Sequence, residues 1–309
     1  MPTMPRRGVR PFHCRISRSP GEICRCPSPT SPAITGRSRL RRQQVDARRR
    51  RCAVRHSTEA DCMHSTGSDS RSTPTDIGLL TLQRFERLPR LHRRICGPVL
   101  GSAARRIWEI GAGIGNVTEV LAQGNRLVLA SDIRPDYVAH LRARFADRPT
   151  VVPKLCDATD PQDVSPVADW RPEAAVCISV LEHVEHDLRL LQNARTALLP
   201  TGGRLFLYVP AHQWLFCSLD TCLGHYRRYS ASRLVALVET AGFEVESRSW
   251  LNMFGIAGWF LNGKVLGRSS QPASQLEAYD SLIPLTSRVE TALRCPLGLN
   301  LSLVCQARL

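Results

Sequence analysis

The residues best equipped for chemistry in this 309-residue chain fall in five short clusters between residues 106 and 229. The first is Arg106-Ile-Trp-Glu109-Ile-Gly111-Ala112-Gly113-Ile-Gly115-Asn, an apolar stretch that runs into a glycine-rich turn. Glycines there let the backbone turn sharply and let a ligand touch the main chain. The amides that open the following helix suit a carboxylate or a phosphate. The second is Asp132, followed by Ile133, at the end of an apolar run 21 residues after Gly111. A carboxylate there can accept hydrogen bonds from two neighbouring hydroxyls. The third is Cys156-Asp157-Ala158-Thr159, and the fourth is Ser179-Val-Leu-Glu182-His183-Val-Glu185-His186-Asp187.

The fifth cluster opens with Tyr208-Val-Pro-Ala-His212-Gln-Trp214, passes Asp220 and ends in Gly224-His225-Tyr226-Arg227-Arg228-Tyr229. A connection of about 20 residues is long unless it has a function, and its aromatic and ionisable side chains suit a lid over a bound molecule. His225 is the strongest candidate for a general base, because imidazole titrates near neutrality. Arg227 or Arg228 would clamp an acidic group on a substrate, or else pin the segment by ion pairs to acids such as Asp220. Glu182 and His183 stand between proton handling and a hydrogen-bonded structural role.

These clusters need a scaffold that gathers the ends of several strands. Short apolar runs predict strands near 106–110, 126–131, 150–154, 174–179 and 204–209, separated by helical patterns near 116–123, 134–146, 187–198 and 231–241. Alternation of this kind implies a parallel sheet covered by helices, in which the C-terminal strand ends line the ligand crevice. Asp187 is the expected N-cap of the helix at 187–198, and Pro200-Thr-Gly-Gly203 its stop. Two late strands, 243–250 and 300–307, flank helical apolar spacing at 251–266 and 276–293, and should form an antiparallel pair at the sheet edge. Ahead of the first strand, Leu79, Leu80, Leu82, Phe85, Leu88, Leu91 and Ile95 make an apolar stripe that Pro89 should split. The expectation there is a cap over the ligand side. The fold class is therefore α/β: a Rossmann-like, doubly wound, seven-stranded sheet, mostly parallel, with an antiparallel last pair.

The register of the glycine turn carries the next step. A dinucleotide fingerprint is G-x-G-x-x-G, but counting from Gly111 its third glycine falls on Asn116. The observed form is an acid followed by G-x-G-x-G. This resembles motif I of class I S-adenosylmethionine-dependent methyltransferases, and Ser179-Val-Leu-Glu182-His183 resembles the Leu-Glu-His segment of their small-molecule members. The stretch with Val209-Pro-Ala and Gly224-His-Tyr-Arg-Arg-Tyr229 is similar to the lid of a bacterial subgroup. The resemblance covers roughly residues 76–309 and fades over 251–300. It implies that Glu109 helps hold the amino-acid end of S-adenosylmethionine, that Gly111, Ala112, Gly113 and Gly115 carry its methionine part, and that Asp132 with Ile133 takes the ribose. Asp157 and Ala158 would meet the adenine, and Ser179 would border the same site. His225, His183 and Glu182 become the catalytic candidates. Arg227, Arg228, Tyr229 and His212 become candidates for binding a small-molecule or lipid-like acceptor.

Three other functions compete. A nicotinamide-dependent oxidoreductase is opposed by the missing third glycine and the late antiparallel pair. A nucleic-acid methylase would often carry Asn/Asp-Pro-Pro-aromatic where this chain has Ser179-Val-Leu-Glu182. A cofactor-binding protein without catalysis is separated only by turnover.

Composition bounds the partners. Residues 1–62 hold 15 Arg and four acids, a net +11, which leaves only +4 of the formal +15 for the remainder. No basic reading face emerges in 63–309, so no nucleic-acid partner is expected. Residues 1–75, rich in Arg, Pro and Ser and without hydrophobic period, read as a disordered extension, with a targeting segment or a start at Met63 as alternatives. The twelve cysteines show no zinc spacing, so no metal is expected, and reduced thiols fit a cytoplasmic protein. No apolar run reaches the ~20 residues of a membrane span. The run 251–266 suits core packing first and contact with a membrane surface second.

Overall fold

The computed structural model describes residues 76–293 and 297–308. The expectations for residues 1–75 lie outside the described residues. The chain enters through α1 (Ile77–Phe85), α2 (Pro89–Ile95) and α3 (Gly97–Leu100). It then alternates β1 (Arg106–Ile110), α4 (Asn116–Leu121), β2 (Leu127–Asp132), α5 (Pro135–Arg144), β3 (Val151–Leu155), α6 (Pro161–Asp169), β4 (Ala174–Ile178), α7 (Asp187–Leu198) and β5 (Arg204–Pro210). After α8 (Ser218–Cys222) and α9 (Ala231–Thr240) come β6 (Phe243–Leu251), α10 (Gly255–Trp259) continuing as a π-turn (Phe260–Val265), α11 (Ala273–Leu293) and β7 (Asn300–Ala307).

The sheet order is β3-β2-β1-β4-β5-β7-β6. Strands β1 to β5 pair in parallel, and β7 is antiparallel to both β5 and β6. Side-chain alternation along β1 builds both cores. Trp108 and Ile110 face the layer of α6, α7 and α9, with Val164, Leu190, Leu191 and Leu234. Ile107 faces the layer of α4 and α5, with Leu121, Leu141 and Phe145. Trp108 is fully buried, and its Nε1 donates to Ser131 Oγ at 2.8 Å, so the indole carries no unpaired donor.

Pro89 divides the N-terminal stripe as expected and opens α2, a position where its missing N–H is harmless. Helix α6 has no counterpart in the expected pattern. Its start signals are sound, with Asp160 accepting from Gln162 N and Pro161 first in the helix, but Pro166 inside it blurs the periodicity. One cap is corrected: His186 is the N-cap of α7, and Asp187 is its first helical residue, with Oδ1 accepting from Leu188 N at 2.9 Å and Oδ2 from Arg227 and Tyr229. The C-terminal insertion is partly core. Leu276 and Ile283 of α11 pack with Leu88 and Leu91, and Asp280 accepts from Leu91 N at 2.8 Å. Phe254, Phe260, Leu261 and Val265 stay exposed. No described helix is long and apolar enough to cross a membrane.

Candidate active site

The glycine turn between β1 and α4 takes its shape from the protein around it. Gly111, Gly113 and Gly115 have φ of 70°, 56° and 92°, where a Cβ is strained. A Cβ on Gly111 would strike the Val180 side chain, one on Gly113 would come within 3.0 Å of Leu82 Cδ1, and one on Gly115 within 2.6 Å of Phe145 Cε2. Ala112 N donates to Ser131 O at 2.8 Å and fastens the turn to β2. Leu82 lies on α1, whose backbone is held by Asn116 Nδ2 donating to Leu82 O at 2.7 Å. The N-terminal stripe therefore does reach the glycine turn.

Asp132 ends β2. Its Oδ2 accepts from Gly113 N at 2.8 Å and its Oδ1 from Arg134 N at 2.9 Å. Burial raises its pKa against the pull of those two amides. Each carboxylate oxygen keeps a second lone pair, and Ile133 beside it is 62% exposed. Asp157 turns one oxygen into its own turn, where Oδ1 accepts from Thr159 N and Oγ1. Ala158 is buried, and its carbonyl is fixed by Asn193 Nδ2 at 3.0 Å. Acceptors placed for a vicinal diol, next to an exposed aliphatic side chain and a fixed Asp157–Ala158 backbone, fit an adenosyl group. Glu109 sits beneath the turn. Its Oε2 accepts from Thr118 Oγ1 at 2.6 Å, and burial pushes its pKa up to about 8.

The C-terminal end of β4 supplies a second pole. Ser179 there adopts φ 53°, unusual for a residue with a side chain, while its N–H donates to Tyr208 O at 2.8 Å. Glu182 is 1% exposed, and burial pushes its pKa up to about 7. Its Oε2 has no hydrogen-bond partner. The rings of His183 and His225 meet edge to face at 4.6 Å. His183 keeps solvent exposure as a residue, while desolvation of its ring by burial, with the charge of His225, holds its pKa down to about 4. His225 Nδ1 lies 2.8 Å from Asp220 Oδ1, and Arg228 Nε donates to the same oxygen at 2.8 Å. Burial would raise the pKa of Asp220, but the His225 hydrogen bond and the Arg228 charge keep it below the ordinary carboxylate value.

Residues 211–229 are knitted to the loop after β4. Arg227 donates to Asp187 Oδ2 at 2.7 Å and to Glu185 O at 3.0 Å, and Tyr229 Oη donates to Asp187 Oδ2 at 3.0 Å. Arg228 is 1% exposed, donates to Ala211 O at 3.1 Å and lies over the Trp259 ring. Tyr229 is fully buried. The guanidiniums and phenol expected to face an acceptor are thus engaged with the protein itself, which is the pinning alternative. His212 stacks flat on Trp250 at 4.9 Å, burial lowers its pKa, and its buried Nε2 has no partner.

The structure brings Glu182, His183 and His225 together at one pole, and Asp132, Ile133 and Ala158 at the other, with Gly111, Ala112 and Gly113 between them. The sequence does not single out Leu82, Val180 and Asp187 as site residues. Leu82 lies in the stripe expected to cap the ligand side, and Val180 and Asp187 lie in the fourth cluster, but their contacts with Gly113, Gly111 and Arg227 appear only in the fold.

The model of a family described as "Methyltransferase domain" matches residues 80–248, more than half of the chain. A Mycolicibacterium smegmatis protein described as "Probable S-adenosylmethionine-dependent methyltransferase" is 30% identical over 158 residues, covering 50% of this chain and 58% of that relative. Among solved structures, a chain of the complex between the Haloferax volcanii Trm112 methyltransferase activator and a candidate methyltransferase aligns with a TM-score of 0.53 at 14% identity. The alignment covers 78% of this chain and 100% of that one, a likeness of fold. A SAM-dependent methyltransferase from Archaeoglobus fulgidus aligns at 0.48 and 15% identity, over 72% and 94% of the two chains.

Proposed function

Because this chain belongs to the methyltransferase-domain family, we propose that it transfers a methyl group from S-adenosylmethionine to a nucleophilic atom of a small-molecule or lipid-like acceptor. The observation that carries this reading is the arrangement of two unlike poles on strands that flank β1: Asp132 at the end of β2, and Glu182, His183 and His225 just beyond β4. When bound, S-adenosylmethionine supplies a methyl on a sulfonium already activated for displacement.

The chain's own task is alignment and proton removal. Asp132 accepts the two ribose hydroxyls, Ile133 and Ala158 line the adenine, and Gly111 to Gly113 carry the amino-acid end. His225 takes the proton of a protonated nucleophile on Nε2, because Asp220 occupies Nδ1 and fixes the tautomer. Arg228 keeps Asp220 ionised for that task. Arg227, Arg228 and Tyr229 hold the segment 211–229 closed over the acceptor. Leu82 covers Gly113 and makes α1 a cap. The buried thiols Cys96, Cys177 and Cys305 fit the reducing cytoplasm.

The test is calorimetric titration of the full chain with S-adenosylmethionine, beside Asp132→Ala and a nicotinamide dinucleotide control. Loss of one charged hydrogen-bond acceptor should weaken affinity about 10- to 100-fold. No binding by a folded wild-type chain refutes the reading, and binding without turnover on any acceptor reduces it to a cofactor-binding protein.

A further inference from the structure

Three side chains at the β4 pole form a set that proton transfer does not exhaust. Glu182, His183 and His225 each place one ligand-type atom within 4.8 Å of the other two. The members come from two segments more than 40 residues apart in sequence, which is why no metal spacing shows in the chain itself. The buried Oε2 of Glu182 has no hydrogen-bond partner, and an unpaired buried carboxylate oxygen is costly. Its neighbour Asp220 is 0% exposed and is paired with the buried guanidinium of Arg228.

The His225 imidazole is pre-set as a donor of a lone pair. Asp220 holds His225 Nδ1 at 2.8 Å, leaving Nε2 as the free donor atom. A carboxylate on one ring nitrogen is the usual outer partner of a histidine that binds metal through the other. Two imidazoles and one carboxylate suit a divalent first-row transition ion, and three protein ligands with an open side match a catalytic site more than a closed structural one.

We propose that Glu182, His183 and His225 form a divalent transition-metal site at the acceptor end of the cleft, which selects acceptors carrying a hydroxyl group. This rests on the methyl-transfer reading above. The acceptor oxygen binds the cation, whose charge lowers the pKa of a bound hydroxyl, and its proton leaves to solvent. The oxygen's electron pair then forms the bond to the methyl carbon while the carbon–sulfur bond breaks and its pair returns to sulfur, leaving a neutral thioether. In that state His225 serves as a ligand, and the metal takes over its proton-removing role.

The experiment uses the full chain, stripped with a chelator and titrated with Co²⁺, with S-adenosylmethionine titrations on the same samples. The expected result is one equivalent of visible d–d absorption without a thiolate charge-transfer band. Glu182→Gln and His183→Ala should each weaken Co²⁺ affinity at least about tenfold, since losing even an outer partner costs that much. His186→Ala, at an exposed neighbour outside the set, should leave it unchanged. Equal Co²⁺ binding in wild type, Glu182→Gln and His183→Ala, thiolate bands only, or no binding at all overturns the metal site. If the cofactor still binds in that case, the methyl-transfer reading stands, whereas loss of cofactor binding by the folded wild type removes both.

Discussion

Replacing Gly115 with alanine separates two explanations of the glycine turn. One holds that its glycines serve only to make room for a ligand, and the other that the protein's own packing requires them. Gly115 is the N-cap of α4 with φ 92° and ψ 19°. An L-residue in left-handed backbone costs about 1–2 kcal/mol. The new Cβ would lie 2.6 Å from Phe145 Cε2 and 3.0 Å from Leu141 Cδ2, and both side chains are buried, at 5% and 0% exposure, with little room to retreat. Overpacking a tight core adds about 1–3 kcal/mol. Gly115→Ala should therefore lose about 2–5 kcal/mol in urea denaturation followed by circular dichroism, or about 4–20 °C in Tm for a domain of this size. Gly224→Ala is the control: φ is 74°, but nothing lies within 4 Å of its Cβ, so only the backbone cost of about 1–2 kcal/mol applies. A loss below about 0.5 kcal/mol for Gly115→Ala, the level of an ordinary surface change, combined with weaker cofactor binding, refutes the packing argument.

Three further outcomes are expected. Leu82→Ala uncovers Gly113 without touching the core and should weaken S-adenosylmethionine binding several-fold by calorimetry. It is a cleaner test of the cap than deleting residues 76–100, which would also strip the buried Leu88, Cys96 and Val99. Glu109, pushed from 4.5 up to about 8 by burial, holds its proton more tightly folded than unfolded. Its contribution to stability is thus full below pH 4.5 and falls as pH rises toward 8. Glu109→Gln should flatten that part of a stability–pH profile measured by urea titration, and an unchanged slope would contradict the burial argument. Asp187→Asn removes the charged acceptor shared by Arg227 and Tyr229, at a cost of about 1.5–3 kcal/mol. Hydrogen exchange should rise first in 211–229, and protection there equal to wild type would deny that Asp187 pins the segment.

The fold was legible because its signals are local. Strand runs ending in acid or glycine, and helices bounded by Ser230, Gly202 and Gly242, state their limits within a few residues. Helix α6 was not legible, since Pro166 interrupts the one pattern that would have announced it. At the site, residue identity pointed to the right clusters, but not to the direction of each side chain. Arg227 and Arg228 look alike in sequence as anion clamps. The sequence offers Asp220 as a partner that could pin them, but only the fold reveals that Asp220 pairs with Arg228 and that Asp187, from another segment, pairs with Arg227. The Glu182–His183–His225 grouping is invisible for the same reason, being a property of two loops brought side by side.

The reversed strand β7 joins two parts of the sheet. Among the described strands β6 is hydrogen-bonded to β7 alone, and β7 lies between it and β5. A chain lacking β7 would leave β5 as an unpaired edge beside the core residues Leu205, Leu207 and Val209, and β6 without its partner. Leu301, Leu303 and Cys305, all fully buried, close both gaps at once when the final segment docks. Such long-range closure is slow relative to local pairing, and an exposed strand edge invites association in the interval. Without the eight residues of β7 the sheet would be incomplete, with β5 and β6 unpaired along the sides that β7 joins.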